Sequence, residues 1–179
     1  AFHSMRPGSS EIWVGDADGS NPVQLTSFGG PFGAWPRWSP DGKTIALNYK
    51  PKEGTVYNLA LLDWATHKVS LLTHEETPNH SWGSVAWSQD GKTLYANRVE
   101  VSFTDADIYA VDVASGKTTN LTPHEGKILH FASSLSPDGK TLLITSNRKG
   151  GYQNVALLDI ATQKLSWVTD TKWEAGAGD

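Results

Sequence analysis

Cysteine is absent from the 179 residues, which excludes disulfides, thiolate nucleophiles and cysteine-ligated zinc. No apolar run approaches the ~18 residues that would cross a bilayer as a helix, so no membrane span is expected. Neither sign of charge dominates. Fifteen Lys and Arg against 19 Asp and Glu leave a net charge of −4, too little positive charge for a nucleic-acid footprint. Apolar stripes of helical period are also missing. Aromatic and apolar residues are plentiful, with 8 Trp and 38% hydrophobic residues, and that content excludes intrinsic disorder.

What fills the chain is a repeat. Trp38-Ser39-Pro40-Asp41-Gly42-Lys43-Thr44-Ile45 returns as Trp87-Ser88-Gln89-Asp90-Gly91-Lys92-Thr93-Leu94 and as Leu135-Ser136-Pro137-Asp138-Gly139-Lys140-Thr141-Leu142. The Ser starts at 39, 88 and 136 lie 49 and then 48 residues apart. Each copy runs on into Leu59-Ala60-Leu61-Leu62-Asp63, Ile108-Tyr109-Ala110-Val111-Asp112 or Val155-Ala156-Leu157-Leu158-Asp159, and closes at Leu72-Thr73, Leu121-Thr122 or Val168-Thr169. An incomplete copy opens the chain, with Glu11 to Asp16 and Pro22 to Thr26 in the last two roles.

The apolar segments are four to eight residues long and rich in Val, Ile, Leu, Trp and Tyr, which suits strands. Asp-Gly between two such runs predicts a hairpin, its glycine taking the positive φ. The second turns, at Asp63-Trp64-Ala65-Thr66, Asp112 to Gly116 and Asp159-Ile160-Ala161-Thr162, let Asp bond its own downstream backbone. Four short strands in every ~48 residues predict an all-β β-propeller of four-stranded antiparallel blades.

The Trp-Ser-Pro-Asp-Gly-Lys-Thr-Ile block with its Leu-Leu-Asp and Leu-Thr sequels resembles the β-propeller repeats of TolB-type proteins. It is similar as well to the amino-terminal propeller of prolyl-oligopeptidase-family serine peptidases, and the likeness covers about residues 10 to 170. The resemblance implies either a substrate-gating propeller belonging to a peptidase with a separate α/β-hydrolase domain, or a propeller that docks a peptide or protein. It also implies a periplasmic or secreted location.

On the repeat's own template, Ala1 falls where Ala46 does, and Asp179 lies as far past Thr169 as Ala132 lies past Thr122. Blades are therefore expected at about 1–27 (incomplete), 34–73, 83–122 and 131–169, with 170–179 starting the next inner strand. Three blades are complete, and a fourth is split and lacks an innermost strand. The missing flank would be supplied by the rest of a larger propeller or by a second copy of the chain; four-bladed closure is the rival.

Two sets of loops carry the candidate binding residues. One contains Phe28, Phe32 and Trp35, then His74, Glu75, Glu76, His80 and Trp82, then His124, Glu125, His130 and Phe131, and finally Trp173 and Glu174. The other carries Arg6, Lys50, Arg98 and Arg148 at equivalent repeat positions. Such a face suits a peptide, with a cation taking its carboxylate. The competing account has the histidines capping turns and the aromatics wedged between blades. Trp38 and Trp87 read as blade packing, and Asp41, Asp90 and Asp138 as turn chemistry.

No catalytic residue, cofactor or metal site emerges. Gly-x-Ser-x-Gly does not occur. Ser115-Gly116-Lys117-Thr118 imitates the end of a phosphate loop, but Val111 stands where its first glycine belongs. His74 and His80 are six apart, not the four that pairs ligands on a helix. The turn at Asp16 has Ser27 where a calcium loop needs Glu. The inner strands hold no Asp or Glu, which argues against a paired-carboxylate lyase or glycosidase.

Overall fold

A computed structural model describes residues 1–6, 8–30 and 32–176. Among the described residues there are fifteen strands and no helix. They are β1 (Phe2–Ser4), β2 (Glu11–Val14), β3 (Val23–Gln24), β4 (Phe32–Trp38), β5 (Thr44–Lys50), β6 (Asn58–Asp63), β7 (Val69–Leu71), β8 (His80–Trp87), β9 (Thr93–Glu100), β10 (Ala106–Asp112), β11 (Thr118–Asn120), β12 (His130–Leu135), β13 (Thr141–Ser146), β14 (Asn154–Asp159) and β15 (Leu165–Trp167).

The strands form meanders: a three-stranded sheet β1-β2-β3 and three four-stranded sheets, β4 to β7, β8 to β11 and β12 to β15. Every pair with a defined register is antiparallel, as expected when consecutive strands are joined by tight turns. Each sheet has the meander order of a propeller blade, and the first has three strands where the others have four. Residues 170–176 form no strand, and the last three residues of the expected 170–179 segment lie outside the described ones.

The chain divides into two units, Ala1–Ser84 and Val85–Asp179, with the division inside β8. Ile12, Leu25, Ile45, Leu47, Ala60 and Leu62 form the core of the first. Tyr95, Ile108, Leu142, Ile144, Ala156 and Leu158 lead that of the second. The third strands are apolar along most of their length because both of their faces are covered. Leu59, Ala60 and Leu62 of β6 are fully buried.

The Asp-Gly hairpins are built alike. Ser39 Oγ donates to Asp41 Oδ1 (2.7 Å), which also accepts the Lys43 N–H (3.1 Å), and the Thr44 N–H closes onto Ser39 Oγ (3.0 Å). Asp90 and Asp138 repeat the pattern with Ser88 and Ser136. Gly42, at φ 68°, takes the left-handed step that the turn demands. In the outer turns Asp63 Oδ1 accepts the Thr66 N–H (2.8 Å), and Asp112 and Asp159 do the same for Ser115 and Thr162.

Candidate functional site

Each blade fastens its outer loop with one device. The hydroxyls of Thr26, Thr73, Thr122 and Thr169 accept the N–H of Ile12, Leu59, Ile108 and Val155, each at 2.9 Å. Each hydroxyl then donates to the side chain one residue earlier on that third strand: Glu11 (2.6 Å), Asn58 (3.1 Å), Asp107 (2.9 Å) or Asn154 (2.9 Å). In three blades this side chain also accepts the loop's backbone. Glu11 takes the Phe28 N–H, Asn58 that of Glu75 and Asn154 that of Thr171. The loops that carry the candidate residues are thereby tied to the scaffold two residues after the threonine.

A second link joins neighbouring blades within each unit. Asn48 Oδ1 accepts the Ser84 N–H (2.9 Å) and, one repeat later, Asn97 Oδ1 accepts the Ala132 N–H (2.9 Å). The first sheet departs from this rule. His3 occupies the register position of those asparagines, opposite Ile12, and Trp35 lies one 49-residue period before Ser84. In that slot the His3 and Trp35 rings meet at 5.8 Å. Trp35 lies at the register shift between Ala34 and Arg37 with φ at 50°, left-handed backbone that costs a non-glycine residue about 1–3 kcal/mol.

Trp35 belongs to a cluster of rings in the first unit. Its centroid is 6.3 Å from Phe32 and 6.1 Å from Tyr57, and Phe32 and Tyr57 are 5.6 Å apart. The antiparallel register explains the grouping. Phe32 pairs with Lys50, and continuing past Tyr49↔Asn58 sets Lys50 opposite Tyr57, so the three share one face at the sheet's end. Lys50 places Nζ 5.4 Å from the Tyr57 ring centroid, and Arg6 lies 5.9 Å over Trp13. Phe32 and Tyr57 are half-buried while Trp35 remains 48% exposed. Tyr57 is the member that sequence reasoning missed; only the strand register brings it to Phe32 and Lys50.

The other candidates of this unit sit on the β7–β8 connection. His74 is exposed. His80 begins β8, with Nδ1 3.1 Å from the Thr77 hydroxyl. Trp82 is buried: its indole N–H donates to Glu75 Oε2 (2.9 Å) and its backbone N–H to the Tyr57 carbonyl (2.9 Å). Trp82 braces the loop rather than facing solvent.

In the second unit Arg98 lies in β9 opposite Asp107. Arg148 follows β13, exposed, beside Lys149, Gln163 and Trp167 in an open surface depression. Trp173 is 67% exposed beyond β15. His124 and His130 are buried together, their rings 5.4 Å apart, and none of their four ring nitrogens has a hydrogen-bond partner. His124 Nε2 lies 3.4 Å from both Asp105 Oδ1 and Asp107 Oδ1. Burial, then the neighbouring His124 and Arg148, pushes the His130 imidazole down to about 4. Among the described residues, no group of three or more His, Asp or Glu is arranged to hold a metal ion.

Repeated antiparallel meanders with latched loops are the blade pattern of a β-propeller module. A family model described as the TolB beta propeller domain matches residues 1–177, and the chain belongs to that family. The Acinetobacter baumannii TolB crystal structure superposes with a TM-score of 0.74 at 22% identity, over 97% of this chain and 42% of that one. A structure of prolyl endopeptidases superposes with a TM-score of 0.67 at 16% identity, over 91% of this chain and 26% of that one. The uncharacterized peptidase YuxL of Bacillus subtilis is 29% identical over 154 residues, 82% of this chain and 20% of its own length. The chain spans about a quarter of the length of the curated relatives it matches. Among the described residues no helix is long and apolar enough to cross a membrane.

Proposed function

We propose that this propeller module binds an extended peptide or protein segment and performs no chemistry of its own. The observation that carries this reading is the Phe32–Trp35–Tyr57 cluster beside Lys50, where an aromatic side chain is displayed to water on strained backbone. Wet aromatic surface is the usual anchor of a protein contact, and a nearby ammonium supplies direction. The test is an array of immobilised peptides of mixed composition probed with the intact chain. Saturable binding that Trp35→Ala weakens supports the reading; an array on which nothing binds overturns it.

The sequence likeness to a Bacillus subtilis peptidase favours a second role for the same surface, in which the module gates and positions substrates for an α/β-hydrolase domain. A parent coding sequence with Gly-x-Ser-x-Gly in a strand-turn-helix setting supports that role, and its absence favours a TolB-like docking propeller. In either role the rest of a larger propeller, or a second copy of the chain, is the partner that completes the ring. The fraction of the Acinetobacter protein that this chain spans supports that partner, and sedimentation of the chain with and without its parent sequence tests it.

A further inference from the structure

The second unit carries a docking surface of its own, which does not rest on the ring cluster of the first. We propose that the β9–β10 turn, with Val101 and Phe103 at its tip, packs into the apolar side of a basic amphipathic helix of a protein partner. Both side chains stand in water, Val101 at 54% and Phe103 at 68% exposure. The tip is firmly built. The Phe103 N–H closes onto the Glu100 carbonyl (2.8 Å), and the Glu100 N–H donates to the Asp105 carbonyl (2.8 Å). The Thr104 hydroxyl donates to Glu100 Oε2, which also accepts Lys127 Nζ (2.7 Å) from the β11–β12 connection. A turn held in this way loses little freedom when a partner covers it.

The repeat shows how far this turn departs from its siblings. Lys52 and Gly54 stand one 49-residue period before Val101 and Phe103, and Lys149 and Gly151 stand 48 residues after them. Gly54 closes its turn as Phe103 does, its N–H donating to the carbonyl three residues back, that of Pro51 (2.9 Å). Gly151 has φ 82°, left-handed backbone that glycine adopts freely, whereas Phe103 takes φ 54° with a bulky side chain. Where the two sibling turns place a cation and a glycine, this one therefore places two exposed apolar side chains, one of them on strained backbone. Neither belongs to the core of the second unit.

Geometry and charge select the occupant. A projecting tip encloses nothing, so the partner supplies the concavity. β9 and β10 lie inside their sheet, between β8 and β11, which leaves no free strand edge there for an extended peptide to pair with. A helix offers hollows between side chains at i, i+3, i+4 and i+7, and an apolar knob fits one of them. Charge then sets the border of that helix. The Ala106 N–H bond to the Ile128 carbonyl (2.9 Å) holds the turn's second strand beside the β11–β12 connection. Over residues 98–107 and 123–129, Glu100, Asp105, Asp107 and Glu125 stand against Arg98 and Lys127, an acidic excess. Lys127, then the hydroxyls of Thr104 and Ser102, hold the Glu100 carboxyl down at about 2, so it is anionic throughout the neutral range. Lysines or arginines beside the partner's apolar stripe complement that excess.

The experiment is calorimetric titration of the intact chain with an acetylated Leu/Lys peptide of ~18 residues, its leucines spaced to line one helix face. One control exchanges every Lys for Glu, and another scrambles the order so that no apolar face forms. The Leu/Lys helix is expected to bind, and each control to bind at least about tenfold more weakly. Phe103→Gly and Val101→Lys install the residues of the sibling turns. Each should therefore keep the melting temperature while weakening binding at least about tenfold. Undiminished binding by folded Phe103→Gly overturns the proposal, as does tighter binding of the Glu peptide or no binding of the Leu/Lys helix. Self-association in sedimentation that Phe103→Gly abolishes assigns the tip to a second copy of the chain. Flotation with phosphatidylcholine vesicles that Phe103→Gly abolishes assigns it to a lipid surface. Either result overturns the proposal as well.

Discussion

The imidazoles of His124 and His130 pack 5.4 Å apart inside the second unit, with His130 wholly shut away from water. The carboxylates of Asp105 and Asp107 lie 3.4 Å from His124, and Arg148 contributes like-charge repulsion to His130 from the end of β13. Burial holds His130 neutral, with its proton affinity depressed to about 4. The unfolded imidazole titrates near 6.5, so between about 6.5 and 4 the unfolded chain binds more protons than the native one. Stability from this group is present above pH ~6.5 and declines as pH falls through that window, by on the order of 3 kcal/mol. Denaturant melts of the wild type and of His130→Phe across pH 7 to 4 are expected to show a shallower pH slope for the variant. An unchanged slope contradicts the assignment.

Thr73→Val keeps the shape of the latch and removes its hydrogen bonding. The Leu59 N–H then loses its acceptor and Asn58 loses a donor, both in buried surroundings. A loss of about 1–3 kcal/mol is expected from chemical denaturation. Hydrogen exchange at Leu59 should accelerate, while Thr73→Ser should retain most of the stability.

Gly33 admits no side chain. A Cβ there would lie 2.5 Å from the Phe28 ring and 3.3 Å from Leu47, both part of the first unit's core. Gly33→Ala therefore forces the Phe28 ring out of its edge-on contact with Tyr49, at a cost of about 1–3 kcal/mol. Tyrosine near-ultraviolet circular dichroism would report the shift, and the double variant Gly33→Ala with Phe28→Leu should recover part of the loss.

Glu11 is almost wholly buried, which by itself would raise its proton affinity. Donors from Thr26, Phe28, Ser9 and Gly29 outweigh the burial and hold the carboxyl below its ordinary value. A carboxylate so depressed stabilises the fold above its unfolded pKa and ceases to do so as pH falls through the native one. Glu11→Gln is expected to cost about 1–3 kcal/mol at pH 7 and to lose less on acidification than the wild type, measured by thermal melts at pH 7 and pH 3.

The repeat, the strand count per blade and the hairpin at Asp41 are legible in the sequence because each rests on residues close together along the chain. Ser39, Asp41 and Gly42 specify their turn without outside help. The latch is hidden because its partner changes identity from Glu11 to Asn58, Asp107 and Asn154; only the capacity to accept hydrogen bonds is constant. Among the site candidates, Lys50 lies at the ring cluster, but Tyr57 arrives there through cross-strand register that no linear spacing reveals. Trp82, His124 and His130 read alike as loop residues, yet they turn inward, because Glu75, Asp105 and Asp107 accompany two of them and His130 opens an inner strand.

The threonine latch spans only fourteen residues in every blade. So short a closure costs little chain entropy and forms early. Each latch thus draws only on residues of its own repeat. Evolution can consequently lengthen or shorten such an array by whole units, since duplication at the repeat boundary leaves every seal intact, whereas a cut between a third strand and its threonine severs one.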